Sequence, residues 1–357
     1  MATSALALAF SISACGAGNE SDSGAPADGG DASLSGTLNG AGSSAQEAAV
    51  AAWTQGFQTA NPDVTVNYDP AGSGAGREQF IAGGINFAGS DAALDEEEMT
   101  SAAAKCASDV IEVPTYISPI AVIFNLEGVA DLNLSSATLG DIFSGVITKW
   151  NDPKIVAENP DAKLPSSDIT PVHRSDDSGT TENFTDYLDQ TSGGTWSKGA
   201  IQTWPFKSGE GAEGTSGVVA AVKGGKGTIG YADASQAGDL GVAKIKVGDE
   251  FVAYSPEGAT KALDVSKEVD GASASTIVFQ IDRKTTEAGT YPLVLVSYQM
   301  ACTTYADAGV AGLVKGWLTY VTSQDGQKAS AAGAGSAPLS AALSDKIAPI
   351  VEKIAAQ

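Results

Sequence analysis

The stretch RSDDSGTTENF over residues 174–184 concentrates groups that do chemistry. Arg174 is a cation that can grip an oxyanion with two parallel hydrogen bonds. Asp176 and Asp177 follow it and more than cancel its charge. Ser178, Gly179, Thr180 and Thr181 then bring small, hydroxyl-bearing, turn-forming residues to the start of a predicted helix. Three chemistries compete for such a stretch: a nucleophilic serine, a metal held by the aspartates, or a cradle for an anion.

The first two lack partners elsewhere in the chain. A catalytic serine at Ser178 needs a base. The one histidine, His173, sits on the strand before the motif, where alternation turns it away from the side of Arg174. No G-x-S-x-G elbow surrounds Ser178. A metal site finds one histidine and no zinc or EF-hand spacing, so no metal or cofactor is expected. No P-loop motif occurs. No local pattern supports a glycosidase carboxylate pair.

The anion cradle meets an objection from the whole chain. Over 357 residues the formal charge is -23, and only 18% of residues are charged. That balance excludes nucleic acid and anionic membrane surfaces, which need basic patches. The objection fades once the elements that position the motif are laid out. LSGTLNGAG (34–42) reads as a strand and 44–62 as a helix, with Val50, Trp53 and Phe57 at helical spacing and a Ser44-x-x-Glu47 capping box. VTVNYDP (64–70) is a strand, and GSGAGREQFIAG (72–83) is a turn entering a short helix. Residues 85–94 read as a strand ending at Ser90-Asp91, followed by an acidic helix from 95. ITPVHR (169–174) is the strand before the motif, and its helix is expected to run through Tyr187. Residues 216–233 read as helix, turn and strand. Residues 136–152, 308–323 and 343–355 are helical.

Strand-then-helix alternation predicts an α/β fold with mainly parallel sheets. Two β-rich runs, 110–126 and 291–302, carry the chain between lobes. The first is interrupted by Pro114 and Pro119, which argues against one central strand. Lobe 1 is then discontinuous, 34–116 with 298–357, and lobe 2 is 117–297. Ligands of open α/β sheets lie beyond the carboxyl ends of strands. That rule selects the turns at 40–45, 72–76, 90–91 and 174–181. Three of them, GAGSSA (40–45), GSGAG (72–76) and SGTT (178–181), share one form: strand, glycine with a hydroxyl residue, helix start. Helix starts carry unpaired N–H groups and roughly half a positive charge each. Converging, they hold an anion with few cations. Distant carboxylates are screened beyond about 8 Å.

The N-terminus is a separate matter. ALALAFSISAC (5–15) is too short to span a bilayer and reads as the apolar part of a secretory signal. The usual positive residues do not precede it, so a translation start upstream of Met1 is expected. ISAC (12–15) resembles a bacterial lipobox, with Cys15 lipidated; an ordinary signal with a chance cysteine is the alternative. Residues 16–33 have almost no large apolar side chain and form a tether of about 20–25 Å r.m.s. reach. The mature chain is thus expected outside the cell, held by lipid to the outer face of the membrane. Cys106 and Cys302 remain, and in an exported protein they are expected to pair, two separate buried thiols being the alternative.

RSDDSGTT (174–181), GSGAG (72–76) and GSDAAL (89–94), with LGDIFSGVITKWNDPKI (139–155) and GTIGYAD (227–233), resemble the PstS family, the substrate-binding proteins of bacterial phosphate ABC importers. The resemblance runs from about residue 34 to the C-terminus. It implies the periplasmic-binding-protein fold, two α/β lobes joined by two β-strand hinge crossovers and closing over the ligand. It implies phosphate ligands at Ser44, Ala45, Ser73, Asp91, Arg174, Ser178, Gly179 and Thr180, with Asp176 orienting Arg174. It implies a monomer that binds phosphate, and arsenate as its analogue, and hands phosphate to a membrane permease without enzymatic activity. The first turn departs from the family's Gly-Ala-Gly-Ala-Thr-Phe: here Ser44 keeps a hydroxyl and Ala45 replaces the aromatic. A phosphatase, or a binder of another oxyanion on the same fold, is the alternative. Asp91 separates the oxyanions, because phosphate near neutral pH still carries a proton that needs an acceptor and sulfate does not.

Overall fold

The computed structural model describes residues 33–269 and 273–357. The expected signal segment, Cys15 and the tether before Ser33 lie outside them. Eight strands carry the architecture: β1 Gly36–Gly42, β2 Val64–Asp69, β3 Phe87–Ser90, β4 Val110–Asn125, β5 Thr170–Arg174, β6 Glu210–Ala212, β7 Thr228–Asp233 and β8 Val294–Cys302. They lie in the order β2-β1-β3-β8-β4-β7-β5-β6. The helices that matter for the site are α1 Glu47–Ala60, α2 Ser73–Ile81, α3 Glu96–Cys106, α4 Ser136–Phe143, α5 Gly179–Thr191, α6 Gly214–Gly224, α7 Ala308–Thr322, α8 Gln324–Ala334 and α9 Ala341–Val351. This is the two-lobe α/β architecture.

The sheet is parallel only at its flanks. β1 pairs in parallel with β2 and β3, and β5 with β6 and β7. In the middle, β8 runs antiparallel to β3 and to β4, and β4 antiparallel to β7. The expectation of mainly parallel sheets is therefore corrected at the centre, where the two crossover strands lie side by side.

The proline argument is also corrected, because 110–125 is one continuous strand. It changes partners along its length. Residues 110–119 pair with β8, and residues 120–125 pair with β7. Pro119 is the last residue facing β8, opposite Val294. Pro114 faces Tyr298 where the register slips, so that Thr115 has no partner. A strand tolerates a missing N–H at a bulge or where a partner ends.

Each half packs its own aromatic group. Trp317 lies 6.5 Å from Trp53, 5.6 Å from Phe57 and 5.5 Å from Phe87, joining α7 to α1 and β3. In the other half Phe184 stacks on Tyr231 at 4.3 Å and meets Phe143 at 4.8 Å. α8 had no apolar signal. Its buried face is Gly326, Gln327, Ser330 and Ala334, small and polar residues that let it lie close to α1. A hairpin of 244–247 with 250–252 and a helix at 256–264 were not anticipated either. Cys106 and Cys302 are bonded, tying the end of α3 to the end of β8.

The crossover also buries a carboxyl. Glu112 on β4 is 1% exposed, and its Oε1 accepts a hydrogen bond from Leu94 N at 2.8 Å. Burial raises its pKa from 4.5 to about 7, against the opposing effects of that hydrogen bond and of Arg77. A raised carboxyl favours the protonated folded state. Its contribution to stability is therefore undiminished at low pH, falls as pH rises from about 4.5 to about 7, and above that is a cost on the order of 3 kcal/mol. Glu112→Gln keeps the acceptor and removes the ionisation. Urea unfolding is expected to find it more stable than the parent by about 1–3 kcal/mol at pH 8, with the difference gone near pH 4.5; an equal difference at both pH values would refute the assignment.

Candidate functional site

The four turns selected from the sequence meet at one place, and they meet backbone to backbone. A Cβ on Gly42, whose φ is +142°, would lie 1.9 Å from Gly89 O. On Gly76 it would lie 2.4 Å from Gly42 Cα. On Gly179 it would fall 2.8 Å from Ala92 N and from Asp91 C. Gly74 N donates to Asp177 O at 3.2 Å, and Gly72 N to Gly42 O at 2.9 Å. Glycine is required here because no side chain fits between the turns.

The hydroxyls extend the same contacts. Ser44 Oγ accepts from Thr215 N at 2.9 Å and lies 3.0 Å from Thr215 Oγ1, so the first turn is joined to the start of α6. This replaces the expected capping box, since α1 begins at Glu47 and its N-cap, Gln46, makes no side-chain cap. Ala45 N, expected to face the ligand, donates to Ser43 Oγ at 3.1 Å. Ser73 Oγ accepts from Asp91 N at 3.2 Å and keeps its hydrogen to donate. Ser178 caps α5 by accepting from Thr181 N at 3.1 Å, which likewise leaves its hydrogen free for another acceptor.

Asp91 is the centre of this arrangement. Only 3% exposed, it receives Thr180 Oγ1 on Oδ2 at 2.9 Å and Ser297 Oγ on Oδ1. Its carbonyl accepts from Asn183 Nδ2 at 2.7 Å. A cavity of about 430 Å³ opens beside it, lined by Glu182, Asn183, Asp186 and Arg283 but by none of Ser44, Ser73, Arg174 or Ser178.

Arg174 is 2% exposed and paired with Asp176, through Nε to Oδ1 at 2.7 Å and Nη2 to Oδ2. Burial alone would raise the Asp176 pKa, but the hydrogen bond and charge of Arg174, with the Gly214 N–H at 3.0 Å, hold it below the ordinary carboxylate value. The pair is thus fixed in the ionised form, and Nη1 of Arg174 lies outside it. Tyr231 anchors this corner: its hydroxyl receives Arg174 N at 3.3 Å and lies 2.8 Å from Thr181 Oγ1. Burial pushes its phenol up to about 12. His173 stacks on Trp204 at 4.7 Å, with Nδ1 on Arg174 O at 2.9 Å. It therefore serves packing, not Ser178. Among the described residues no cluster of three metal-ligating side chains occurs.

A family model described as a PBP superfamily domain matches residues 27–325. Phosphate-binding protein PstS 3 of Mycobacterium leprae (strain TN) is 37% identical over 330 residues, covering 88% of this chain and 87% of that protein. Phosphate-binding protein PstS 3 of Mycobacterium tuberculosis (strain ATCC 25618 / H37Rv) is 39% identical over 292 residues, 79% and 77% of the two chains. The chain belongs to the PstS family of the PBP superfamily. Among solved structures, a high-affinity periplasmic phosphate-binding protein (PfluDING) bound with phosphate shares the fold at TM-score 0.70 and 23% identity, with 87% of this chain and 92% of that one covered. The phosphate-binding protein from Stenotrophomonas maltophilia does so at TM-score 0.65 and 20% identity, with 88% and 93% covered.

In this PstS-family chain the structure brings together Ser44, Ser73, Asp91, Arg174, Ser178, Gly179 and Thr180, and pairs Asp176 with Arg174. Asp177 has an exposed side chain and contributes its carbonyl to Gly74. Thr215 was missed, although GTSG (214–217) has the same glycine-hydroxyl-helix form as the other turns. Arg77 was missed as well: it lies 3% exposed, bound to Glu98 at 2.9 Å, Ser90 Oγ at 3.1 Å and Gln202 at 2.8 Å. A single arginine in a short helix gave no signal of its burial.

Gly179→Ala drives a methyl into the 91–92 backbone, where no side chain can swing aside. It is expected to cost about 1–3 kcal/mol of stability and to speed amide exchange at residues 90–92 and 179–181. Gly224→Ala, in a helix where a Cβ meets nothing within 4 Å, is the control and is expected to be neutral to stabilising by up to about 1 kcal/mol. Equal stability of the two variants would refute the packing argument.

Proposed function

We propose that this chain binds inorganic phosphate where the four turns converge and delivers it to the permease of a phosphate ABC importer. The carrying observation is Asp91, a buried carboxylate whose partners there are hydroxyls, with a buried arginine and the Ser178-capped start of α5 in the same cluster. Arg174, the hydroxyls of Ser73 and Ser178, and the N–H groups opening α5 at Gly179 and Thr180 supply donors to the anion. Ser44 completes the cradle from the first turn while locked to Thr215; the Ala45 N–H, expected there, is taken by Ser43 Oγ and is left out of the donor set. Asp91 accepts the proton that phosphate keeps near neutral pH. Sulfate would bring an unpaired like charge to the same spot, and an unmet buried polar group supports discrimination of about 10⁴–10⁵. Arsenate carries the same proton and is bound as an analogue.

The lobes in this reading are 34–116 with 298–357 and 117–297, a boundary supported by the change of partner along β4 near residue 119. Closure brings Arg77 to Gln202 and Ser44 to Thr215. The protein acts as an extracytoplasmic monomer, tethered by 16–33 to lipid on Cys15, and has no catalytic activity of its own.

Calorimetric titration with phosphate, arsenate and sulfate tests the reading. Phosphate and arsenate should bind tightly, and sulfate about 10⁴–10⁵-fold more weakly. Arg174→Ala removes the cation and leaves the half-buried Asp176 carboxylate without its counter-charge, and should weaken phosphate binding by about 2–4 kcal/mol. Near-parental affinity in that variant would overturn the site. Turnover of a phosphomonoester would overturn the non-enzymatic assignment.

A further inference from the structure

We infer that Gln46 and Ser297 are positioning residues that set the anion selectivity of the site by holding Asp91 as an acceptor. The inference rests on the phosphate reading above. Gln46 and Ser297 are both fully buried, 251 positions apart in the chain. Gln46 Nε2 donates to Ser297 Oγ at 2.6 Å and to Tyr298 O at 3.1 Å. Ser297 Oγ in turn donates to Asp91 Oδ1.

The direction of this relay is fixed by one carbonyl. Tyr298 O can only accept, so the nitrogen of the Gln46 amide must face it. The same NH₂ group then occupies a lone pair of Ser297. The single hydroxyl hydrogen of Ser297 is left for Asp91. Thr180 supplies the other hydroxyl hydrogen to Oδ2. Both oxygens of Asp91 are thereby committed as acceptors, and what Asp91 offers a ligand is a further lone pair.

Two features show that this geometry is held against a cost. Gln46 Oε1 is buried without a hydrogen-bond partner among the described residues, so the amide forgoes one of its own bonds to keep this orientation. Ser297 lies at the slip in register between β8 and β4, next to the unpaired Thr115. A bulge re-aims the side chains beside it. The return crossover thus contributes a side chain to Asp91, and selectivity is built partly into the strand that joins the halves.

Without the Ser297 hydroxyl, Asp91 Oδ1 loses the bond that orients it, and the carboxylate can turn its lone pair away from the ligand. Phosphate then loses the acceptor for its proton while sulfate meets less of the like charge, so the two anions are told apart less sharply. Competition of sulfate against phosphate, followed by calorimetry on the full chain, tests this. Ser297→Ala should lower the phosphate-to-sulfate affinity ratio at least tenfold. Gln46→Met, which removes the directing amide at similar volume, should lower it in the same direction by a smaller factor. Ser297→Thr, which restores the hydroxyl, should keep the parental ratio. A parallel loss of both anions in Ser297→Ala and Gln46→Met would mark a merely structural role and overturn the inference, as would an unmoved ratio. If Ser297→Ala does not fold, the ratio in Gln46→Met decides alone. Failure of the unaltered chain to bind phosphate would instead overturn the site reading and this inference with it.

Discussion

Asp91 sits where elements distant in the chain run into one another, and its carboxylate and backbone are bonded to them. Thr180 reaches it from α5, Ser297 from the return crossover, and Ser73 and Asn183 hold its backbone. A buried carboxylate is stable only when its hydrogen bonds are supplied. The surrounding structure can be read as the means of supplying them. Glycines at 42, 76 and 179 let the turns approach to backbone contact, Ser178 caps the helix that presents Thr180, and the slip between β8 and β4 places Ser297. Tyr231 secures the corner by bonding both the strand end at Arg174 and the first turn of α5.

The same arrangement answers how a chain of charge -23 can hold an anion. Of its few cations, Arg174 and Arg77 are buried at this cluster. Arg174 is neutralised in part by Asp176. Helix starts and hydroxyls add dipoles that are fixed in place. The acidic excess lies largely on solvated surfaces, where salt screens it within about 8 Å. Solubility and anion recognition therefore draw on different parts of the molecule.

Much of this was legible in the sequence, for a definite reason. The turns repeat one local form, and local form is what a sequence displays: glycine, hydroxyl, helix start. The strands before them and the two crossovers could be placed the same way. The errors came where a long-range contact overrode a local rule. Ser44 satisfies a capping-box spacing, yet its hydroxyl is taken by Thr215, 171 positions away. Pro114 and Pro119 argue against a central strand, yet the strand accommodates them at a slip and at a change of partner. Ala45 N turns to Ser43. The Gln46–Ser297 contact leaves no local trace, since neither residue belongs to any motif. α8 escaped because its buried face is built from small and polar residues.

The bond between Cys106 and Cys302 joins positions 196 apart. Everything between them, including β4, the Arg174 strand, α5 and most of β8, is therefore a covalently closed ring. A loop of that length removes about 5 kcal/mol of chain entropy from the unfolded state. The closure also has a geometric effect. The inserted half can open or even lose structure without its two entry points drifting apart, because α3 and β8 remain stitched together at the base. The disulfide thus works as a clasp on the frame against which that half moves.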